Sequence, residues 1–566
     1  MSLTALRRGT GGALLLLSLV VGAGGACTTG QQRAPHADLV LRGGNVITVD
    51  AQGSLHEAVA IVGNRIAAVG SSQDIEPWIG PSTEVIELAG KSLLPGFIDA
   101  HNHVEHTARS EHLLLRVHSP PVADSNEVLQ LVETKAAELP VGSWILGQGT
   151  YGQEMPSKAE LDRVAPQHPV VLRWSMHRQV ANQKALEASG VDASFPDPPG
   201  GRIDRGPDGL PTGVFREAFD VFPIPSFRSD ELQEAIRETL SEHWMKQGVT
   251  SIYALPASTD AVRAFHQLRD EDRLPVRLRL SFTAAPGHQA FGDMATILAL
   301  GIRSGMGDDW LRIGAIKVFV DGDGEAAATY RREREGIANF GLTRSVEQLN
   351  SDVMEAHRAG WQLWLHAIGD KAQDLALDAF EAALEARPDD DHRHRMEHLG
   401  NYMAGEAGEA TLARARELGV IPVPTAAFMW GSRPRAPDAP STGIRYPFAK
   451  LLEMGFRPPG NADSAGTQTF SLNPLFSLTR EVLRTNRDGD PIDPEQAILP
   501  LDAIRMHTIW AARAAFEDEI KGSIEPGKLA DLVVLTEDPL TAPERLMEMR
   551  VEVTIIDGVV RYRRAE

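Results

Sequence analysis

Apolar runs of strand length recur through the middle of this chain, separated by amphipathic stretches of helix length, and few folds accept that rhythm. GVTSIYAL (248–255), PVRLRLSF (275–282), RIGAIKVFV (312–320), WQLWLHAIG (361–369) and GVIPVPTA (419–426) read as strands. VEQLNSDVMEAHRAG and DKAQDLALDAFEAALEAR read as helices between them. Repeated β-then-α units predict an α/β domain over about 93–515, with a parallel sheet, open or closed, and helices outside it.

One stretch breaks the rhythm. Residues 104–245 follow the first expected strand and hold Pro- and Gly-rich pieces such as PDPPGGRIDRGPDGLPTG beside several strand-like runs. This is expected to be an insertion that covers the active face. A second irregular piece, about 427–473, surrounds Asp463; long ordered excursions of this kind build binding sites or lids.

The two ends of the chain answer each other. ADLVLRGGNVITVD, HEAVAIVGNRIAAVG and TEVIELAG alternate apolar and polar residues with Gly or Asn at the turns, and LADLVVLTEDP and VEVTIIDGVVRYRR repeat the signature near the C-terminus. Neither piece could bury a core alone. Residues 37–92 and 516–566 are therefore expected to form one small composite β-sandwich.

Residues 1–26 join Arg7 and Arg8 to an apolar stretch and then small residues, the pattern of a secretory signal too short to span a bilayer permanently. Cys27 follows directly, as in a bacterial lipoprotein signal, and 28–36 reads as the rest of a polar tether over 27–36. The chain is expected to be exported, as a membrane-anchored lipoprotein that is periplasmic or at the cell surface, and otherwise secreted. A lone Cys excludes an internal disulfide. The formal charge of −21 argues against nucleic acid or anionic lipid as a partner, because phosphates call for clustered Lys and Arg. A small-molecule substrate is the expected partner, and a homodimer would be unsurprising.

Several polar residues stand at or near the ends of apolar runs: His101 and His103 in LPGFIDAHNH, Lys317 in AIKVFVDG, His366 in WQLWLHAIGD, His398 in HRMEHLG and Asp463 in GNADSAG. His101 and His103, two apart in a strand, point to one face. Taken singly, each His is more often a structural hydrogen-bonded residue; together at strand ends they point to one metal site. Zinc accepts His nitrogen and carboxylate oxygen and keeps a position open when it is catalytic, so the expectation is hydrolysis assisted by one or two divalent ions. The same donors suit iron, manganese or cobalt. Asp99, on the face of His101, is a candidate carboxylate for orienting a ligating ring. Lys317 interrupts an apolar strand; it either pairs with Asp321 or Asp323, or carries an added carboxylate that bridges two metals. Asp463 is the candidate general base for the attacking water, with Asp321 and Asp323 as alternatives.

PGFIDAHNH, KVFVDG, HAIGD, the Arg-x-x-His form of RMEH and the closing KGSIEPGKLADLVVL resemble the amidohydrolase superfamily, in its family-3 branch. WILGQGTYGQ, LDRVAPQHPVVLRWSMHRQVANQKAL and GLPTGVFREA in the insertion match that branch too. The resemblance implies a (β/α)8 TIM-like barrel with a composite β-sandwich and hydrolysis of C–N bonds in amides or N-substituted formamides. His101 and His103, with Asp463 nearby, would bind one metal; His366 and His398 would bind the second; Lys317 would bridge as a carbamate. His177, in SMHRQVAN, would face the substrate. This chain departs from the branch at Asn461-Ala462-Asp463-Ser464-Ala465 and at Ser175-Met176. A deaminase acting on a ring amidine and a binding lipoprotein that has lost catalysis are the alternative readings.

Overall fold

The computed structural model describes residues 36–565 apart from short stretches at 151–152, 176, 199–200, 223–226, 285–290, 323, 332–340, 404, 435–442 and 465–468. Residues 1–35, with the expected signal and Cys27, lie outside the described residues.

Parallel strands form the centre. In chain order they are Phe97–Asn102, Val249–Ala254, Arg277–Thr283, Leu311–Phe319, Leu363–His366, Arg395–Glu397 and Ile421–Val423, and each pairs with the one before it in a seven-stranded sheet. Most of their residues are buried on both faces, as the near-continuous apolar runs require of strands covered by helices. Val346–Arg358 and Asp370–Ala386 flank the fifth strand, and their apolar faces join the core around Leu365 and Phe380.

The segment 460–463 runs beside the first parallel strand without regular strand geometry. The Ala100 N–H donates to Gly460 O at 3.1 Å, and the Asp463 N–H donates to His101 O at 3.1 Å. Asn461 faces the other way: its Nδ2 donates to Pro424 O at 3.0 Å and its Oδ1 accepts from Thr425 Oγ1 at 2.9 Å, just beyond the seventh strand.

Between the first and second parallel strands the chain builds a separate six-stranded sheet, from Leu115–Arg116 to Pro211–Arg216. A third sheet combines strands from both ends of the chain. Ser92–Pro95 pairs with Leu39–Ile47 on one side and Leu532–Leu535 on the other, all in one hydrogen-bonded path. Only Gly96 separates Ser92–Pro95 from the first parallel strand. A Cβ at that position would lie 2.2 Å from Thr250 Cγ2, so the two sheets meet too closely there for any side chain. Arg277, wholly buried, clamps the junction by donating to both Asp531 oxygens at 2.7 and 2.9 Å and to Asp557 at 2.8 Å.

Deep among the strands lies a second charged network. Glu517 receives Arg279, the Lys521 ammonium at 2.7 Å and the Tyr253 hydroxyl at 3.4 Å, and Lys521 also donates to Ser251 Oγ at 2.8 Å. Burial pushes the Glu517 carboxyl up, but Arg279 and Lys521 outweigh it and hold it at about 2.

Candidate metal centre and its pocket

The side chains expected from the sequence come together. His101, His103, His177, Lys317, His366, His398 and Asp463 all line one cavity of about 390 Å³. His101 lies in the first strand and His103 just past its end; Lys317 lies in the fourth strand, His366 ends the fifth, and His398 follows the sixth. These are the carboxyl ends of parallel strands, where such folds gather ligands from distant segments.

Distances are short. His103 Nε2 lies 3.3 Å and His101 Nε2 3.6 Å from Asp463 Oδ1, and His398 Nε2 lies 3.9 Å from Asp463 Oδ2. The rings of His366 and His398 are 4.6 Å apart. His398 and Asp463 both have positive φ, 70° and 47°. Consecutive residues of a strand face opposite sides, and the left-handed turn at His398 lets its ring reach the site next to the inward-facing Glu397. Strain at such positions persists only when surrounding contacts fix it.

Burial pushes the His101 imidazole well below its usual range, helped by the Lys317 charge; His366 is lowered likewise by burial and by His398 and Lys317. Burial lowers His398 to about 4, although Asp463 opposes the shift. These rings are neutral near pH 7 and carry lone pairs. Burial raises the Asp463 carboxyl, but His101, His103 and His398 outweigh it and hold it far below the usual carboxylate range. Burial brings Lys317 down to about 8 against the pull of Glu397 and Asp463.

This donor set fits a divalent cation. Ligand atoms of His101, His103 and Asp463 lie within 4.8 Å of one another. His366 Nε2 is buried and has no hydrogen-bond partner among the described residues, a cost that a cation in contact with its lone pair would remove.

Two expectations about carboxylates change. Asp99 does not orient a ligand ring. It accepts from Asn102 Nδ2 at 2.6 Å, Trp244 Nε1 at 3.1 Å and the Ala462 N–H at 3.1 Å, so it ties the first strand to the segment that carries Asp463. Glu397 meets His101 Nδ1 instead. Sequence reading passed over it, because a Glu beside His398 in a strand should face away; the RMEH spacing was the available signal. Asp321, an alternative base, is committed elsewhere: its oxygens accept the N–H groups of Ala328, Ile368 and Gly369 at 2.9, 3.0 and 2.8 Å. Asp323 lies outside the described residues.

His177 enters from the separate sheet, at the turn after Val170–Trp174, with its ring 6.2 Å from that of His366. Glu217 holds it, with both carboxylate oxygens 3.0 Å from Nδ1. Phe319, Phe428 and Tyr446 add apolar wall to the cavity, and Asn401, Ser432 and Arg445 add polar groups.

Neutral imidazoles and an ionised carboxylate, gathered at the ends of parallel strands, define a metal-dependent hydrolase. The chain belongs to the amidohydrolase family, whose pattern matches residues 84–562. It is 31% identical over 559 residues to the N-substituted formamide deformylase of Arthrobacter pascens, covering 93% of this chain and 98% of that protein. It is 30% identical to the protein LONG AFTER FAR-RED 3 of Arabidopsis thaliana, over 93% of this chain and 92% of the other. An uncharacterized metal-dependent hydrolase from Pyrococcus horikoshii OT3 shares the fold with a TM-score of 0.68 at 22% identity, over 89% of this chain and 98% of that one.

Proposed function

We propose that this pocket hydrolyses a non-peptide C–N bond, in an amide or an N-substituted formamide, with one or two zinc ions. The observation that carries the reading is the meeting of His101, His103 and Asp463 within 4.8 Å, in the same cavity as His366, His398 and Lys317. The Arthrobacter pascens relative supports the choice of bond. Imidazole and carboxylate donors support zinc. His101 and His103 with Asp463 would hold one ion, His366 and His398 the other, with Lys317 between them as a carbamate.

A bound divalent cation of this kind polarises a carbonyl and acidifies water. The chain supplies the remainder. Ionised Asp463 accepts the proton that the attacking water gives up, and that proton leaves on the departing amine nitrogen. A C–O bond forms and the C–N bond breaks, giving a carboxylic acid and an amine. His177, steadied by Glu217, faces the substrate, while Phe319, Phe428 and Tyr446 exclude water from around the reacting bond.

The parallel strands are read as a (β/α)8 TIM-like barrel closed by 460–463, with 104–245 as an insertion over the site and 37–92 with 516–566 as a composite β-sandwich. The hydrogen bonds of 460–463 on both its sides support closure. Residues 1–26 are read as an export signal and Cys27 as the lipid attachment. No helix among the described residues is long and apolar enough to cross a membrane.

The test is turnover of a panel of N-formyl and N-acyl amines by metal-replete protein, following acid and amine together. Matched release of both is expected. Ammonia from ring amidines, with no acid from any amide, would replace this reading with a deaminase.

A further inference from the structure

The sixth parallel strand carries Arg395 and Glu397, both wholly buried. Buried ion pairs are weak sources of stability, because desolvation offsets their attraction and apolar side chains could fill the space as well. Their geometry shows what this pair achieves. Arg395 presents Nε and one terminal nitrogen to the two Glu397 oxygens, each at 2.8 Å, a fork-to-fork arrangement that fixes the carboxylate plane. The same terminal nitrogen donates to Ala100 O at 2.9 Å in the first strand. The guanidinium lies 3.7 Å from the centre of the Trp364 ring. Arg395 is thus pinned from three sides, and Glu397 with it.

One Glu397 oxygen meets His101 Nδ1. An ionised carboxylate only accepts, so Nδ1 carries the hydrogen and Nε2 carries the lone pair. That Nε2 faces Asp463, 3.6 Å from its Oδ1, on the cavity side. We infer that Arg395 and Glu397 form a positioning pair that fixes the tautomer and rotation of His101, so that Nε2 is a ready ligand before any cation arrives. Glu397 acts through His101 and is not among the residues that line the cavity. The inference rests on the metal-dependent reading above.

Glutamine at position 397 would spoil the arrangement. Its amide group must turn an N–H either toward Arg395, which offers only donors, or toward His101 Nδ1, which would then hold its proton on Nε2. The test uses the full-length protein, stripped with a chelator and titrated with zinc against a chromophoric competitor. Glu397→Gln is expected to weaken zinc binding about 10–100-fold, the usual effect of removing a ligand's hydrogen-bond partner. Arg395→Lys keeps the charge but loses the two parallel donors, and is expected to weaken binding by a smaller factor, still at least about threefold. Glu517→Gln breaks the other buried network and serves as the stability control, with zinc affinity expected within about twofold of wild type.

Zinc affinity of Glu397→Gln within about threefold of wild type would overturn the inference, as would an equal loss in Glu517→Gln. Should Glu397→Gln fail to fold, Arg395→Lys decides by the same threefold threshold. Wild type that binds no zinc would overturn the metal reading itself; tight wild-type binding unchanged in the variants would overturn only the positioning role.

Discussion

His103 Nε2 lies 3.3 Å from Oδ1 of Asp463, which joins the end of the first parallel strand to a segment far along the chain. The contact is built from behind as well. The Asp463 N–H donates to His101 O, and Asp99 accepts the neighbouring Ala462 N–H, so the carboxylate is held by the strand it serves.

Because main-chain bonds fix its position, Asp463→Asn should keep the fold while losing the base. Turnover is expected to fall about 10²–10⁴-fold, the usual worth of a positioned acid–base group. KM should change much less, because the lost interaction belongs to the transition state. Steady-state kinetics of the purified variant checks this; turnover within a few-fold of wild type would mean that another group is the base.

His101→Ala and His366→Ala should each lose metal and activity together. Elemental analysis beside a thermal melt is the measurement. Full metal content in a folded, active variant would reduce either His to a structural role.

Lys317 is buried and brought down to about 8, so an appreciable share of its amine is neutral at mild alkaline pH, the form that reacts with carbon dioxide. Lys317→Ala should be inactive and partly rescued by short carboxylic acids. Lys317→Arg should be inactive without rescue, because guanidinium keeps its charge and fills the space. An active Lys317→Arg would end the carbamate reading.

Glu517 gives a pH signature for stability. Its folded carboxyl sits at about 2, below its ordinary value of 4.5. The folded state therefore binds the proton less readily than the unfolded chain. The resulting stability is fully present above about pH 4.5 and is lost as pH falls toward 2. Glu517→Gln should flatten that acid limb in denaturation curves. It should also cost about 3–5 kcal/mol at neutral pH, because Arg279 is left buried without its partner. An unchanged acid limb would show that other carboxyls set it.

Cys27→Ser should move the protein from the membrane fraction to the soluble one with its catalysis intact. Fractionation of cells expressing each form checks it, and a variant still in membranes would rule out lipid at Cys27 as the anchor.

The alternation of apolar runs with helical stretches was readable because strands covered on both faces leave an unbroken hydrophobic signature. Polar residues at their ends stood out for the same reason: His366 after WQLWL and Lys317 within AIKVFV have no apolar excuse. Glu397 stayed hidden because a period-two reading sends it away from His398, and a single positive φ at His398 is invisible in sequence. Asp99 and Asp321 show the converse limit. Both are acids beside expected ligands, yet Asn102, Trp244 and the Ala462 N–H occupy Asp99 and three main-chain N–H groups occupy Asp321, and only the folded path brings those groups near. The segment 460–463, Gly-Asn-Ala-Asp, has no strand-like pattern, and its hydrogen bonds are shared between main chain and the Asn461 amide.

The sheet that unites Leu39–Ile47, Ser92–Pro95 and Leu532–Leu535 sets an order of assembly. During synthesis the early strands emerge with an open edge, and their partner arrives only after nearly the whole chain has been made. Pairing over such a separation is slow, because loop closure precedes any gain from contact. Through Gly96, the strand bearing His101 hangs directly from that unfinished sheet. A chain ending at Lys528 would thus lose more than a tail: it would leave exposed the edge that anchors the strand carrying His101.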